Sequence, residues 1–284
     1  MVVQNKIFSV NKTLHLNGRL LDLSTPKVMG ILNVTPDSFY VGSRVSELTA
    51  VIKKAEAMLH EGAELLDVGG YSSRPGATDI SESEELKRVV PVIEALRKEF
   101  PEALLSIDTF RSEVAQSALY AGADLINDIT GGDGDAKMYA VASHTKAPYV
   151  MMHMRGTPQT MNQLTQYDDL VREMIDYFHI RLDRLKQAGI KDVIIDPGFG
   201  FAKTVDQNFE LLNKLDSFRI LEKPLLVGLS RKSMIWRTLQ TTAEHALNGT
   251  SVLNTIALLK GASILRVHDV KAAREAIALT SQLT

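Results

Sequence analysis

Short apolar runs recur along the chain, over residues 28–34, 65–68, 103–107, 124–126, 148–152, 193–195, 224–227 and 263–267. Runs of this length, dominated by Val, Ile and Leu and lacking alternation, read as strands buried on both faces. Between them lie stretches of helical period. Residues 46–61 put Leu48, Val51, Ile52, Ala55 and Met58 on one face, and 168–189 do the same with Leu170, Met174, Phe178, Leu182 and Leu185. Ser81 and Glu84 stand in capping-box register, which starts a helix at Glu82. Strands that alternate in this way with helices predict an α/β chain, a (β/α)₈ TIM barrel with right-handed crossovers.

Ahead of the first run, residues 13–23 alternate on both sides of Asn17-Gly18, a strong signal for a β-hairpin. It is expected to close one end of the barrel. With no linker or low-complexity segment, residues 1–27 read as an extension and hairpin within the same domain as the barrel of 28–284.

Composition narrows the class. The 284 residues are 45% hydrophobic with a net charge of −2, which points to no nucleic-acid or membrane surface. There is no cysteine, so thiolate catalysis, thiolate metal sites and disulfides are excluded. No apolar run is long enough to span a bilayer, and the first ten residues lack a signal-peptide core, so the expected location is the cytoplasm.

In such a barrel the chemistry lies where the strands end. Here the runs end in Asn33, Gly69-Gly70, Asp108, Asn127-Asp128, His153, Asp196, Ser230-Arg231-Lys232 and Arg266 with His268 and Asp269. Each polar group buried there must be paired or costs a few kcal/mol, so a purely structural barrel has no use for them. Asp108, Asn127 and Asp196 together suit a flat heterocycle with an amidine-like edge, because a carboxylate accepts two parallel N–H donors from one. Lys232 and Arg266 bring positive charge that can offset those carboxylates or meet an anionic substituent. Asp196 opens the glycine-rich stretch Asp196-Pro-Gly-Phe-Gly-Phe-Ala-Lys203, whose lysine is near enough to answer a negative charge. Arg74 and the loop from Asn33 to Phe39 are further anion and metal candidates.

Plainer roles compete for several of these. Asp108 and Asn127 could each cap the following helix. Asp133-Gly-Asp135 reads as a turn rather than a calcium loop, because further ligands are missing. His153 stays open between the rim and the core, and Trp236 reads as packing.

The motifs Met29-Gly-Ile-Leu-Asn-Val-Thr-Pro-Asp-Ser-Phe39, Asp67-Val-Gly-Gly70, Ser72-Ser-Arg-Pro-Gly-Ala77, Ser106-Ile-Asp-Thr109, Ile126-Asn-Asp-Ile129, Asp196-Pro-Gly-Phe-Gly-Phe201, Ser230-Arg-Lys-Ser233 and Arg266-Val-His-Asp269 make the chain resemble the dihydropteroate synthase family. The resemblance covers nearly everything after the hairpin. It implies a cytoplasmic transferase of folate biosynthesis, a sulfonamide target, that condenses 6-hydroxymethyl-7,8-dihydropterin pyrophosphate with 4-aminobenzoate. It further implies a pterin pocket of Asp108, Asn127, Asp196 and Lys232, a pyrophosphate side of Asn33, Arg74, Arg266 and His268, and Mg²⁺ touched by Asn33. Phe39, Ser73, Arg74, Pro75 and Ser233 fall on the aminobenzoate side, and Lys232, Asp196, Arg74 and Phe39 become the catalytic candidates. Family members are commonly homodimers, and the helix over 250–260 is apolar on several sides.

Two departures from the family pattern touch the loops. Tyr40-Val41 follows Phe39 where small and acidic residues are more usual, and Tyr71 and Ser73 stand where Glu and Thr are frequent. A corrinoid methyltransferase using methyltetrahydrofolate could share the carboxylate floor, but it has no need of the cations for pyrophosphate. A non-catalytic pterin binder would be expected to lack Lys232, Arg74 or Arg266, all of which are present.

Overall fold

The computed structural model describes residues 10–16, 18–34, 44–73 and 79–283. Eight parallel strands form one sheet: β3 (Lys27–Asn33), β4 (Leu65–Gly69), β5 (Leu104–Asp108), β6 (Leu125–Asp128), β7 (Tyr149–Met152), β8 (Val193–Asp196), β9 (Leu226–Val227) and β10 (Ile264–Val267). Neighbours follow chain order from β3 to β8, and β10 pairs with both β3 and β9. The remaining seam between β8 and β9 is closed by a parallel bridge, Ile195 to Leu225, with Ile195 N–H donating to the Pro224 carbonyl at 2.9 Å. The result is the expected barrel, with every apolar run of the sequence on a strand.

Helices α1 (Arg44–His60), α2 (Glu82–Glu99), α3 (Ser112–Tyr120), α4 (Met138–Thr145), α5 (Leu170–Gln187), α6 (Val205–Asn213), α7 (Ser233–Thr238), α8 (Leu247–Leu259) and α9 (Val270–Thr280) wrap the outside. Their stripes bury as the period requires: Val51, Ala55 and Met58 on α1, and Leu170, Met174, Phe178 and Leu185 on α5. Ser81 caps α2 by accepting from Glu84 N–H, but the Glu84 carboxylate accepts from Arg88 Nε at 2.8 Å. A complete capping box forms at α6 instead, where the side chains of Thr204 and Gln207 answer each other's backbone N–H.

The hairpin pairs β1 (Thr13–Leu16) with β2 (Arg19–Asp22), antiparallel, in the register Leu16 to Arg19. Gly18 adopts φ 81° at the turn, a conformation that glycine takes without steric cost, while Asn17 lies outside the described residues. Leu14, Leu16, Leu21 and Leu23 bury into a cluster with Met29, Leu65, Leu125, Val150, Ile194, Leu226 and Ile264. Those seven are the inward-facing positions at the N-terminal ends of the strands, so the hairpin closes the bottom of the barrel. Because strand side chains alternate, the same inward face two residues later presents Ile31, Asp67, Ser106, Asn127, Met152, Asp196, Gly228 and Arg266. An apolar bottom layer therefore gives way, within one step up the barrel, to a polar layer that forms the floor of the open end.

Candidate active site

Arg266 organises this layer. Its Nε donates to Asp67 Oδ2 at 2.6 Å and its Nη2 to Asp108 Oδ2 at 2.6 Å, so one guanidinium holds two carboxylates on neighbouring strands. Asn127 Nδ2 donates to the same Asp67 oxygen at 3.0 Å, which fixes its amide on the floor. Neither Asp108 nor Asn127 caps a helix: α3 and α4 begin after Arg111 and Lys137, with no side-chain cap. Burial pushes the Asp108 carboxyl up to about 7, with Arg266 pulling the other way and the Asp67 carboxylate adding to the rise.

Asp196 faces this group from β8. It is buried, and its Oδ1 accepts from Gly198 N–H at 2.7 Å. Burial raises its carboxyl, while the Lys232 charge and the Gly198 N–H work against the rise. Lys232 enters from the loop after β9, donates to the Phe199 carbonyl and lies 4.7 Å from the centre of the Phe201 ring. Burial lowers its ammonium to about 8, with Asp196 opposing. Asp108, Asn127, Asp196, Lys232 and Arg266 thus form one group at the open end.

Beside them stands an apolar wall of Ile129, Met152, Met154, Met161 and Ala202, with Phe110 and Phe201 against it. A polar edge facing carboxylates and an apolar wall facing a ring plane are together what a flat heterocycle needs. Strand alternation separates the methionines: Met151 packs outward among the barrel and helix core, while Met152 belongs to the wall. His153 turns outward as well, with its ring 4.8 Å from that of Tyr177.

On the other side, Asn33 ends β3 in register with Gly69 and is half-buried. His268 and Ser230 meet across β10 and the loop after β9, with His268 Nδ1 3.0 Å from Ser230 Oγ. Burial, then the Arg266 charge, holds the His268 imidazole down at about 4, so at neutral pH it offers a hydrogen bond and no charge. Ser233 is the first residue of α7, and Ser73 is half-buried on the loop after β4. Phe39, Tyr40, Val41, Arg74 and Pro75 lie outside the described residues.

Four neighbours of the site have structural duties. Arg231 takes φ 55°, forks onto both oxygens of Asp269 at 2.8 and 2.9 Å, and reaches the carbonyls of Ala243 and Glu244. Asp133 pairs with Arg181, and Asp135 caps the N–H groups of Ser112 and Lys137, which is turn chemistry. Tyr71 accepts from Gln159 Nε2 at 2.9 Å and packs edge-on to Phe110, linking the loops after β4 and β7. A cavity of about 540 Å³ lies there, lined in part by Tyr71, Phe110, Arg111, Thr130, Met154 and Gln159.

Asp67, Ser106 and the apolar wall are not marked by the residues that end each apolar run. The sequence signal for Asp67 is an acid inside an apolar strand, at the inward position two before Gly69. Asp67 Oδ1 and Ser106 Oγ stand at partnered positions of β4 and β5, buried and without a hydrogen-bond partner among the described residues. Buried polar atoms of this kind are ordinarily met by water.

The chain matches the family model described as pterin binding enzyme over residues 29–268. It is 48% identical over 248 residues to the dihydropteroate synthase of Synechocystis sp., covering 86% of each chain. Among solved structures, it resembles Yersinia pestis dihydropteroate synthase in a sulfonamide drug complex, with a TM-score of 0.89, 42% identity and coverage of 95% of this chain and 98% of that one. Xanthomonas albilineans dihydropteroate synthase with 4-aminobenzoic acid is similarly close, with a TM-score of 0.89, 39% identity and coverage of 96% and 98%.

Proposed function

The chain belongs to the pterin-binding enzyme family, and from that premise we propose that it catalyses the dihydropteroate synthase reaction. It joins 6-hydroxymethyl-7,8-dihydropterin pyrophosphate to 4-aminobenzoate, giving 7,8-dihydropteroate and pyrophosphate. The observation that carries this reading is the polar layer in which Arg266 bridges Asp67 and Asp108 beside Asn127 and Asp196, set against an apolar wall.

The amidine-like edge of the pterin donates to the carboxylates, and its ring plane lies on the wall. The methylene carbon then exchanges a C–O bond for a C–N bond. Pyrophosphate leaves with the bridging oxygen and the electron pair, the amine supplies the new pair, and its surplus proton passes to solvent. Holding the leaving charge and keeping water from the electron-poor carbon are the main tasks, and no covalent nucleophile is required. Asn33, Arg266 and His268 take the side of the leaving group, and the sequence motifs add Arg74 to them. Phe39, Ser73, Arg74, Pro75 and Ser233 take the aminobenzoate side.

Asn33 offers one neutral oxygen to a cation. No cluster of three acidic, histidine or cysteine ligands occurs among the described residues. That donor set fits Mg²⁺ arriving with the substrate, since Mg²⁺ keeps its waters and binds phosphate oxygens in preference to an all-protein cage. When bound, it supplies neutralisation of the leaving pyrophosphate.

Among the described residues no helix is long and apolar enough to cross a membrane. The pyrophosphate substrate is a polyanion that does not cross a membrane unaided, which supports a cytoplasmic location. A homodimer is supported by exposed apolar side chains on and next to α8: Leu239, Leu247, Val252 and Leu259, each 40–55% exposed. Light scattering gives the mass. The reaction itself is tested by pyrophosphate release that depends on 4-aminobenzoate; demethylation of methyltetrahydrofolate by a corrinoid, with no such release, would favour the methyltransferase instead. Release without aminobenzoate dependence contradicts the proposal.

A further inference from the structure

Lys203 has no part in the contacts above, yet it is only 8% exposed and spends its donors inside the protein. Its Nζ lies 3.0 Å from the Gly198 carbonyl, 3.0 Å from the Phe201 carbonyl and 3.1 Å from His153 Nδ1. A lysine ammonium has three N–H groups, and these three acceptors match them. The sequence places Lys203 to answer an anion; the structure turns it inward onto its own loop. Burying an ammonium against neutral partners is costly, and packing alone would be better served by Met or Leu.

The loop it binds is unusual in its backbone. Gly198, Gly200 and Ala202 adopt φ of 68°, 80° and 49°. Ala202 carries a Cβ into the left-handed region, which is sterically costly, and such geometry persists only where the surroundings fix it. Lys203 ties the start of this loop to its end, and Asn208 Oδ1 holds the middle by accepting from Gly200 N–H at 2.7 Å.

Gly198 is where this scaffold meets the chemistry. Its N–H donates to Asp196 Oδ1 while its carbonyl accepts from Lys203, so the two sides of one residue are tethered to the pterin carboxylate and to the lysine. The fit leaves no slack, because a Cβ at Gly198 would lie 2.2 Å from the His153 carbonyl oxygen. The His153 N–H in turn donates to the Asp196 carbonyl at 3.0 Å. Next along the loop, the Phe199 carbonyl accepts from Lys232.

We propose that Lys203, resting on the Nδ1 lone pair of a neutral His153, is a positioning residue. Through the Gly198 peptide it aims the Asp196 carboxylate, and through the loop it sets the Phe199 carbonyl that seats Lys232. Burial, then the Lys203 charge, keeps His153 well below its usual range, so the ring is neutral, and in the tautomer protonated at Nε2 its Nδ1 accepts from the Lys203 ammonium. Burial lowers Lys203 itself to about 7, against the pull of Asp196, with Lys232 and Arg155 the other charges acting on it. A neutral amine would still carry two N–H donors for the two carbonyls. The tether is therefore a matter of donors, with charge secondary.

The proposal rests on the reaction proposed above, and the two are separable because the wild type is assayed first. An inactive wild type contradicts the reaction; an active one allows the variants to be read. Lys203→Met removes every donor at nearly constant shape, and Lys203→Gln restores two. The expected result is a KM for the pterin pyrophosphate raised at least 10-fold in Lys203→Met and returned to within about 3-fold of wild type in Lys203→Gln, with the KM for 4-aminobenzoate unchanged in both. A lysine that only stabilised the fold would lower the active fraction and leave both KM values alone, and that outcome overturns the proposal. So does Lys203→Gln behaving like Lys203→Met. Should Lys203→Met fail to fold, His153→Leu withdraws one acceptor of the three; a pterin KM raised about 3-fold supports the arrangement, and an unchanged one overturns it.

Discussion

Arg266 Nη2 reaches Asp108 Oδ2 at 2.6 Å, which commits the cation proposed for the pyrophosphate to a carboxylate proposed for the pterin. The sequence left two uses open for this charge, offsetting carboxylates or meeting an anion. The structure shows the first, and Arg266 Nη1 stands outside the bonds to Asp67 and Asp108. Arg266→Met would leave two carboxylates facing each other without a cation. Removing one partner of a buried pair costs about 3–5 kcal/mol, and partial exposure of Arg266 puts the expectation near the lower end, about 3 kcal/mol. Urea denaturation reads it; a loss below about 1 kcal/mol would mean that the bridge contributes little.

Asp196→Asn should weaken pterin binding by about 2–4 kcal/mol, because a neutral amide replaces a charge-assisted acceptor and presents a donor to a donor. Calorimetry with the pterin checks it. An unchanged dissociation constant would remove Asp196 from the ring's partners.

Lys232 and Arg231 are adjacent in sequence and opposite in expected phenotype. Lys232→Ala should lower kcat by about 100-fold with Tm almost unchanged, since it contacts the site and supports little packing. Arg231→Ala should do the reverse: it loses the bidentate Asp269 pair and two carbonyl bonds, for about 2–3 kcal/mol of stability, with kcat near wild type. Thermal scans and steady-state assays on the two variants decide, and a swap of the two phenotypes would refute the division of labour.

The sequence revealed the barrel because parallel strands covered on both faces must be apolar throughout, so the runs stood out without any periodicity argument. It revealed Asp108, Asn127 and Asp196 because they interrupt those runs at the end. Asp67 was hidden by the same logic: it sits inside Leu-Leu-Asp-Val-Gly, where only the inward register relative to β5 shows that it belongs with Asn127 and Arg266. The apolar wall was hidden because Ile129, Met152 and Met154 look like core until alternation separates them from Met151. His153 was undecidable from sequence, since its partner Lys203 lies fifty residues away. Phe39, Arg74 and Pro75 lie outside the described residues, so their place in the site rests on the motifs alone.

The neutral His268 gives the site a pH signature. Its folded value is about 4, against an ordinary histidine near 6.5 in the unfolded chain, so between those values the unfolded chain binds more protons. The contribution of His268 to stability therefore falls as pH drops from about 6.5 toward 4. The buried carboxyls Asp108 and Asp196 are raised and act in the opposite sense, so the prediction concerns a difference. The stability of wild type relative to His268→Gln should decline by about 2 kcal/mol between pH 7 and pH 4.5. A pH-independent difference would show that His268 titrates normally.

Bond exchange at the pterin methylene carbon, on a floor that holds the ring and releases pyrophosphate, can be followed by isotope. It is tested most directly with a pterin pyrophosphate whose bridging CH₂–O–P oxygen carries ¹⁸O, incubated with the protein, Mg²⁺ and 4-aminobenzoate, and analysed by mass. The expected products are dihydropteroate free of the label and pyrophosphate carrying it, one for one. Label retained on a hydroxymethylpterin, with unlabelled phosphate or pyrophosphate and no dihydropteroate, would show that the chain cleaves at phosphorus and would rule out exchange at carbon.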